Sequence, residues 1–286
     1  MYYIFCDVRV NTVIVYQIVS MGAANGDDNG DGVAQNIDTF GLVGGGDECA
    51  TAFYLGMGNM LVDLDNAQGD FGHKIVEDTS LSALDKIKAM LDVQSWMGFT
   101  GSENVYWKQN YDLPYDTFVD ERAMFYSASM GVIEDLAADA DFAYTAITFP
   151  KYDTDQERYY TTNDNHYTST FGIPFMAYDA NFSGYMIEVL SWKSHTTTYP
   201  EYYQVKCLVQ KSYDPVCAEM LQLNYEGLVF DIALMFSHTI KYKSAMVTYA
   251  TNAKNTKNMA TLYAETEMAA NIAIQGIIDT IEQLPE

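Results

Sequence analysis

Positive charge is what this chain has least of: 15 Lys and Arg stand against 39 Asp and Glu, a formal net charge of −24 over 286 residues. No cluster of cations is left to follow a phosphate backbone, which argues against nucleic-acid binding. An anionic membrane surface would repel the chain for the same reason. Histidine and cysteine are scarce too, four of each. His73, His166, His195 and His238 lie far apart, and Cys6, Cys49, Cys207 and Cys217 follow no metal spacing, so zinc is not expected. Two disulfides are countable from four cysteines, but nothing in the spacing demands them, and free thiols are the default. The apolar residues of 1–20 are interrupted by Asp7, Arg9 and Asn11 and have no cationic leader or small-residue cleavage site. They read as a strand or helix, not as a signal peptide or a membrane span of about 20 apolar residues. No G-x-S-x-G, phosphate loop or dinucleotide fingerprint occurs. Carboxylate pairs such as Asp120 and Glu121 can be picked almost anywhere among 39 acids, so they mark no hydrolase.

What is present is apolar and aromatic. Hydrophobic residues make up 49% of the chain, enough for a globular core of one large or two medium domains. The 23 Tyr, 14 Phe and 3 Trp suit a surface that stacks on sugars or peptides, as well as a tyrosine-rich core.

The run Asp27 to Asp38 fits the calcium-loop pattern D-x-[DN]-x-[DN]-G-x5-acid. Asp27, Asn29 and Asp31 take positions 1, 3 and 5, Gly32 the sharp turn, and Asp38 position 12. Val33 would offer its carbonyl at position 7, and Gln35 falls at the position often bridged by water. A hard cation wants six to eight oxygens, and alternate side chains of a curled loop supply them. Asp in place of Glu at position 12 is a shorter arm. Calcium here would be structural, since no helix pair of EF-hand length flanks the loop; a metal-free acidic surface turn is the alternative.

Along the chain, strands alternate with helices, which indicates an α/β fold. Thr39–Val43 reads as a buried strand and Gly44-Gly45-Gly46 as a break. Ala50–Met60 is apolar, with Gly56 and Gly58 allowing close backbone approach. Residues 63–72 read as a hairpin tip. Ser80 reads as the cap of a helix carrying Leu81, Leu84, Ile87 and Leu91. Residues 94–117 are loop-like, a helix follows near 130–138, and strands fall at 142–149 and 171–176. Ser183 reads as a helix cap, and Asp214-Pro215 opens another helix. The last helix, about 258–283, has Leu262, Met268, Ile272, Ile278 and Ile281 as its core stripe. No repeat of fixed period appears.

The order of several stretches resembles one family, the extracellular solute-binding proteins (family 1, carbohydrate type) of bacterial ABC importers. The run through Asn29-Gly30-Asp31-Gly32 to Asp38-Thr39-Phe40-Gly41-Leu42 is similar to its D-x-N-G-D-G…D-T-Y-G-L segment. Phe118 to Phe125 is similar to F-x-x-G-x-A-x-F, with Glu121 where glycine is usual. Pro150-Lys151-Tyr152-Asp153 to Gln156 resembles P-K-Y-D-x-x-Q, and Ser183–Leu190, Tyr199–Tyr203, Ala218–Leu221 and Val229-Phe230-Asp231 continue the likeness. Together these cover roughly 25–285.

The resemblance implies an α/β fold of the periplasmic-binding-protein type II kind, two lobes joined by hinge crossovers, with the first lobe incomplete. It implies that 1–135, including the calcium-like loop 27–38, belongs to the second lobe. Residues 136–198 would then be first-lobe material after the crossover, and 199–286 a helical return. The chain is expected to be N-terminally truncated and to lack part of one cleft wall, which puts ligand binding by the truncated form in doubt. It further implies an extracellular protein, a membrane-anchored lipoprotein in its full-length parent, that binds an oligosaccharide or other small solute, passes it to permease subunits and does no covalent chemistry. A monomer is expected. Ligand-contacting positions carried over from the family are Phe53, Tyr54, Tyr126, Ser127 and Phe236; Trp96 and Trp107 are added by chemistry alone. Two other functions remain open, a calcium-stabilised glycan-degrading enzyme and a structural or adhesive domain.

Overall fold

In Phe40–Gly45 side-chain alternation sends Leu42 to one face and Val43 to the other, and both are buried. A strand buried on both faces needs helices on both sides, and the protein supplies them. The structure, a computed structural model, describes residues 2–7, 28, 30–31, 37–66, 68–91, 97–100, 113–162, 171–202, 215–252 and 254–283. Among these, β1 (Tyr2–Asp7), β2 (Phe40–Gly45), β3 (Met97–Thr100), β4 (Ala123–Ser129) and β5 (Tyr144–Ile147) form one sheet in the order β3-β2-β4-β1-β5. β2 is parallel to β3 and β4, whereas β1 is antiparallel to both β4 and β5. Four strands therefore run one way, with β1 inserted against them. Residues 144–147, within the segment 136–198, close the edge of this sheet beside β1.

The helices are α1 (Gly46–Gly56), α2 (Asp78–Leu91), α3 (Leu113–Val119), α4 (Val132–Asp139), α5 (Ala180–Lys193), α6 (Pro215–Glu226), α7 (Ile232–Met235), α8 (Tyr242–Thr251) and α9 (Met259–Glu282). Leu42 and Phe125 meet α1, α2, α8 and α9 on one face. Val43 and Tyr126, on the other, meet Phe118 of α3, Leu136 of α4 and Leu221 of α6. Two short strands, β6 (Thr161–Thr162) and β7 (Leu228–Val229), pair in parallel apart from the main sheet. No helix among the described residues is long and apolar enough to cross a membrane.

The 150–158 stretch is a staple. Asp153 Oδ1 accepts from the N–H groups of Asp155 and Gln156 at 2.9 and 3.1 Å. The Gln156 amide then donates to the Gly56 carbonyl at 2.9 Å. Tyr152 donates to Ser82 of α2 at 2.9 Å and carries the Lys86 ammonium 3.6 Å above its ring. Gly56 is required here, because a Cβ on it would lie 2.7 Å from the Phe149 Cβ.

Several local expectations change. Gly44 and Gly45 end β2 and Gly46 begins α1, so the triple glycine is a junction, not a break. Asp63 N–H donates to the Phe71 carbonyl at 2.7 Å, but a helix and a 3-10 turn flank that loop, so it is no hairpin tip. Ser80 lies inside the first turn of α2 and donates to Asn59 Oδ1 at 3.1 Å instead of capping. Residues 171–176 form no strand and have no strand beside them among the described residues, and Phe171 is 86% exposed. Asp179, not Ser183, caps α5, accepting from the Phe182 N–H at 2.8 Å. α9 buries Met259, Leu262, Tyr263, Ala270 and Ile274, leaving Met268, Ile272 and Ile281 in solvent. That helix has two apolar stripes, and packing on α8 selects one. Cys49 and Cys217 are buried free thiols, as the default had it.

Two positions carry unusual weight. Glu121 sits at φ +62° just past α3, with its N–H bonded to the Phe118 carbonyl at 3.0 Å and the next N–H, from Arg122, bonded to that of Thr117 at 2.9 Å. This is the left-handed helix termination that glycine adopts without strain. Asp231 is 2% exposed and caps α7, accepting from Ala233 at 2.8 Å. It also accepts from the Leu61 and Val62 N–H groups, at 2.6 and 3.3 Å. Burial raises its pKa, while the backbone donors favour the charged form. Two outcomes are expected in urea denaturation. Glu121→Gly should raise stability by roughly 1 kcal/mol through relief of the left-handed strain. Asp231→Ala should lower it by about 3–5 kcal/mol, because buried N–H groups lose their acceptor.

Candidate functional site

The carboxyl ends of β2, β3, β4 and β5 share one edge of the sheet. From β2 the chain moves outward to β3, then returns across β2 to β4. The edge at β2 is therefore a topological switch point, the place where open α/β sheets form ligand crevices. Its wall is built from Gly44, Gly45 and the first turn of α1, opposite Ser127 of β4. A Cβ on Gly44 would lie 2.9 Å from Cys49 Sγ and 3.0 Å from the Ser127 carbonyl, so the backbone approaches as only glycine permits. Glu48, third residue of α1, folds its carboxylate back over Gly45, the placement that favours a negative charge at a helix N-terminus. Behind it Cys49 is fully enclosed, and burial pushes its thiol pKa far up, which disqualifies it as a nucleophile. The Ser127 hydroxyl sits beside that thiol and finds no nitrogen or oxygen partner among the described residues.

A second feature lies on residues 171–199. A cavity of about 680 Å³ is lined by Phe171 and by Ile187 and Leu190 of α5, with Tyr199 completing its apolar wall. Ser191, Ser194 and Thr198 place hydroxyls around it, and Lys193 and His195 add nitrogen donors. The size falls within the range that holds small ligands. His195 and Tyr199 stack at 5.8 Å, four residues apart in one continuous helical stretch. Tyr199 also packs on Tyr225 of α6, centroids 5.0 Å apart, and burial with Tyr225 beside it pushes the Tyr199 phenol up to about 12. That phenol stays protonated, a donor as well as an acceptor. Three residues on, Tyr202 donates to Glu134 at 3.3 Å, in the first turn of the helix that follows the carboxyl end of β4. The cavity is thus tethered to the carboxyl edge of the sheet.

The residues named from sequence scatter. Phe53 and Tyr54 of α1 are fully buried; Phe53 meets the Phe149 ring edge-on at 5.0 Å, so neither offers a ring face to a ligand. Tyr126 is buried on the opposite face of the sheet, against Phe118 and Tyr115. Among the described ones, Ser127 alone reaches the switch point. Phe236 is partly exposed at the C-terminal end of α7. Trp96 and Trp107 lie outside the described residues. The sequence reading missed Phe171, His195 and Tyr199 as site residues. The His195/Tyr199 spacing, which puts both on one helix face, was the available signal.

Of the cation-loop positions, Asp27, Asn29, Val33 and Gln35 lie outside the described residues. Asp31 is exposed and Asp38 buried. Asp38 Oδ1 accepts from the Asp28 N–H at 2.8 Å, and Asp28 Oδ2 accepts from Thr39 at 2.6 Å, so the two ends of the turn are drawn together. Arg122 donates to the Ile37 carbonyl and secures its exit. Among the described residues no three acidic, His or Cys groups converge as metal ligands.

No protein-family model and no curated protein matches the sequence. Solved structures do match the fold. The maltose/maltodextrin-binding domain MalE from Bdellovibrio bacteriovorus, bound to maltotriose, superposes with a TM-score of 0.59 at 12% identity, over 96% of this chain and 70% of its own. The sugar-binding protein MalE from the phytopathogen Xanthomonas citri gives 0.57 at 10% identity, over 99% and 71%. A cyclo/maltodextrin-binding protein complexed with maltotetraose gives 0.56 at 10% identity, over 100% and 69%. The architecture is the α/β fold of type II periplasmic binding proteins.

Proposed function

We propose that the chain is an oligosaccharide-binding subunit of an ABC importer, working outside the cytoplasm, lipid-anchored in its parent form, and handing its ligand to permease subunits. The observation that carries this reading is the superposition of nearly the whole chain on three sugar-binding proteins. The chemistry of the 171–199 cavity supports it. Ring faces of Phe171 and Tyr199 suit the C–H surfaces of a sugar, and the hydroxyls of Ser191, Ser194 and Thr198 suit its polar rim. In this reading the sheet with α1–α4 and α6–α9 is one lobe. The crossover falls after β5, and 171–202 belongs to the other wall of the cleft.

Binding to the folded form alone must raise stability, by about 2.7 kcal/mol at a hundredfold excess over Kd. Maltotriose, maltotetraose or another member of a broad oligosaccharide panel is therefore expected to raise the melting temperature, and Tyr199→Ala to shrink that rise. A flat response across the whole panel would sink the sugar reading.

Calcium belongs to the same proposal as a structural ion of 27–38, held by Asp27, Asn29, Asp31 and Asp38 with the Val33 carbonyl and Gln35. The drawn-together ends at Asp28 and Asp38 support it. Calcium is expected to raise the melting temperature of the wild type but not of Asp31→Ala; a wild type indifferent to calcium and to chelator removes the ion.

A further inference from the structure

α5 buries none of its residues, although more than half of them are apolar. Its two faces differ in use. Ile187, Leu190, Ser191 and Lys193 line the cavity. Phe182, Tyr185, Val189 and Trp192 follow at spacings of three, four and three, which gathers them into one stripe on the other face. Phe182, Tyr185 and Trp192 are 60%, 62% and 65% exposed. Apolar side chains at these spacings take the a and d positions of two heptads, the seam a helix presents to a second helix. Written in that register, Glu188 falls at g and Lys193 at e, one on each flank of the stripe. Among the described residues neither has an ion-pair partner within the chain.

We infer that α5 is a self-association seam, paired in parallel with α5 of a second copy about a two-fold axis. The occupant is specified by charge. In a parallel pair a g residue meets the e residue five positions further along the other helix. That places Glu188 against Lys193 of the second copy, and the two-fold repeats the pair with roles exchanged. A single helix therefore carries both halves of its own complement. This departs from the monomer expected from sequence, and it does not rest on the sugar reading. The rest of each chain opposes the pairing, since −24 faces −24, so added salt should strengthen the dimer by screening that repulsion.

Sedimentation velocity across a concentration series, with far-UV circular dichroism to confirm folding, tests this. Wild type is expected to dimerise at micromolar concentration. Trp192→Asp, a change in exposed surface, should weaken the dimer by about a hundredfold. Glu188→Lys should weaken it by about tenfold, and adding Lys193→Glu to that variant should restore it. A monomeric wild type overturns the proposal, as does a dimer indifferent to Trp192→Asp. Failure of the double exchange to rescue overturns the parallel register. A monomer whose bound apolar dye is lost in Phe182→Asp would assign the stripe to a different protein partner, and overturns it as well.

Discussion

A carboxylate inside a protein must be given donors, and where Asp231 takes them settles the course of the last fifty residues. Two of its donors, Leu61 and Val62, lie just beyond α1, and a third, Ala233, opens α7. Satisfying all three holds the α7 turn against the α1–α2 connection, from a sequence distance of about 170 residues. α8 and α9 then have α1, α2 and one another to pack on. A second layer of polar contacts follows from that placement: Tyr263 donates to Asp70, Tyr242 to Asn271 at 2.7 Å, and the Phe71 N–H to the same Asn271 oxygen at 3.2 Å. The stacked rings of Tyr242 and Tyr263 fill the space between.

The sheet shows the same division between near and distant sequence. β2, β3 and β4 are local parallel units with helices between them, as parallel pairing requires. β1 comes from the far amino-terminal end and lies antiparallel between β4 and β5, so among the described residues β5 pairs into the sheet through β1, while its other support is α6. Keeping the other four strands in one direction keeps their carboxyl ends together. Glycines at the end of β2 let that edge close on Cys49 and Ser127. The edge and the 171–202 segment are joined by tyrosines, Tyr199 on Tyr225 and Tyr202 on Glu134.

The surface is unevenly divided. Although the chain carries 39 acids against 15 bases, large apolar side chains stand exposed along 171–178, on α5 and on α9. On α5 one face lines a cavity with hydroxyls and the other carries aromatic rings flanked by one acid and one base. Ligand capture and self-association therefore meet at Lys193, which lines the cavity and also flanks the stripe.

By itself the sequence determined the local grammar. The α/β alternation, the buried run of β2, the Leu84/Ile87/Leu91 stripe, the proline opening α6 and the acidic turn before residue 39 follow from period, caps and turn chemistry, which act over a few residues. The glycine-like position at Glu121 was legible too, as a departure from a pattern that the left-handed φ explains. Tertiary structure alone decided which apolar surfaces were covered. Period reveals that α9 has apolar stripes but not that Ile274 faces inward while Ile272 faces water. It shows that 171–176 could extend but not that no strand among the described residues lies beside it. Aromatic residue type did not separate Phe53 and Tyr54, sealed in the core, from Tyr199 at a cavity. The physical reason is common to all three. Burial is a relation between segments far apart in the chain, and only packing brings their surfaces together.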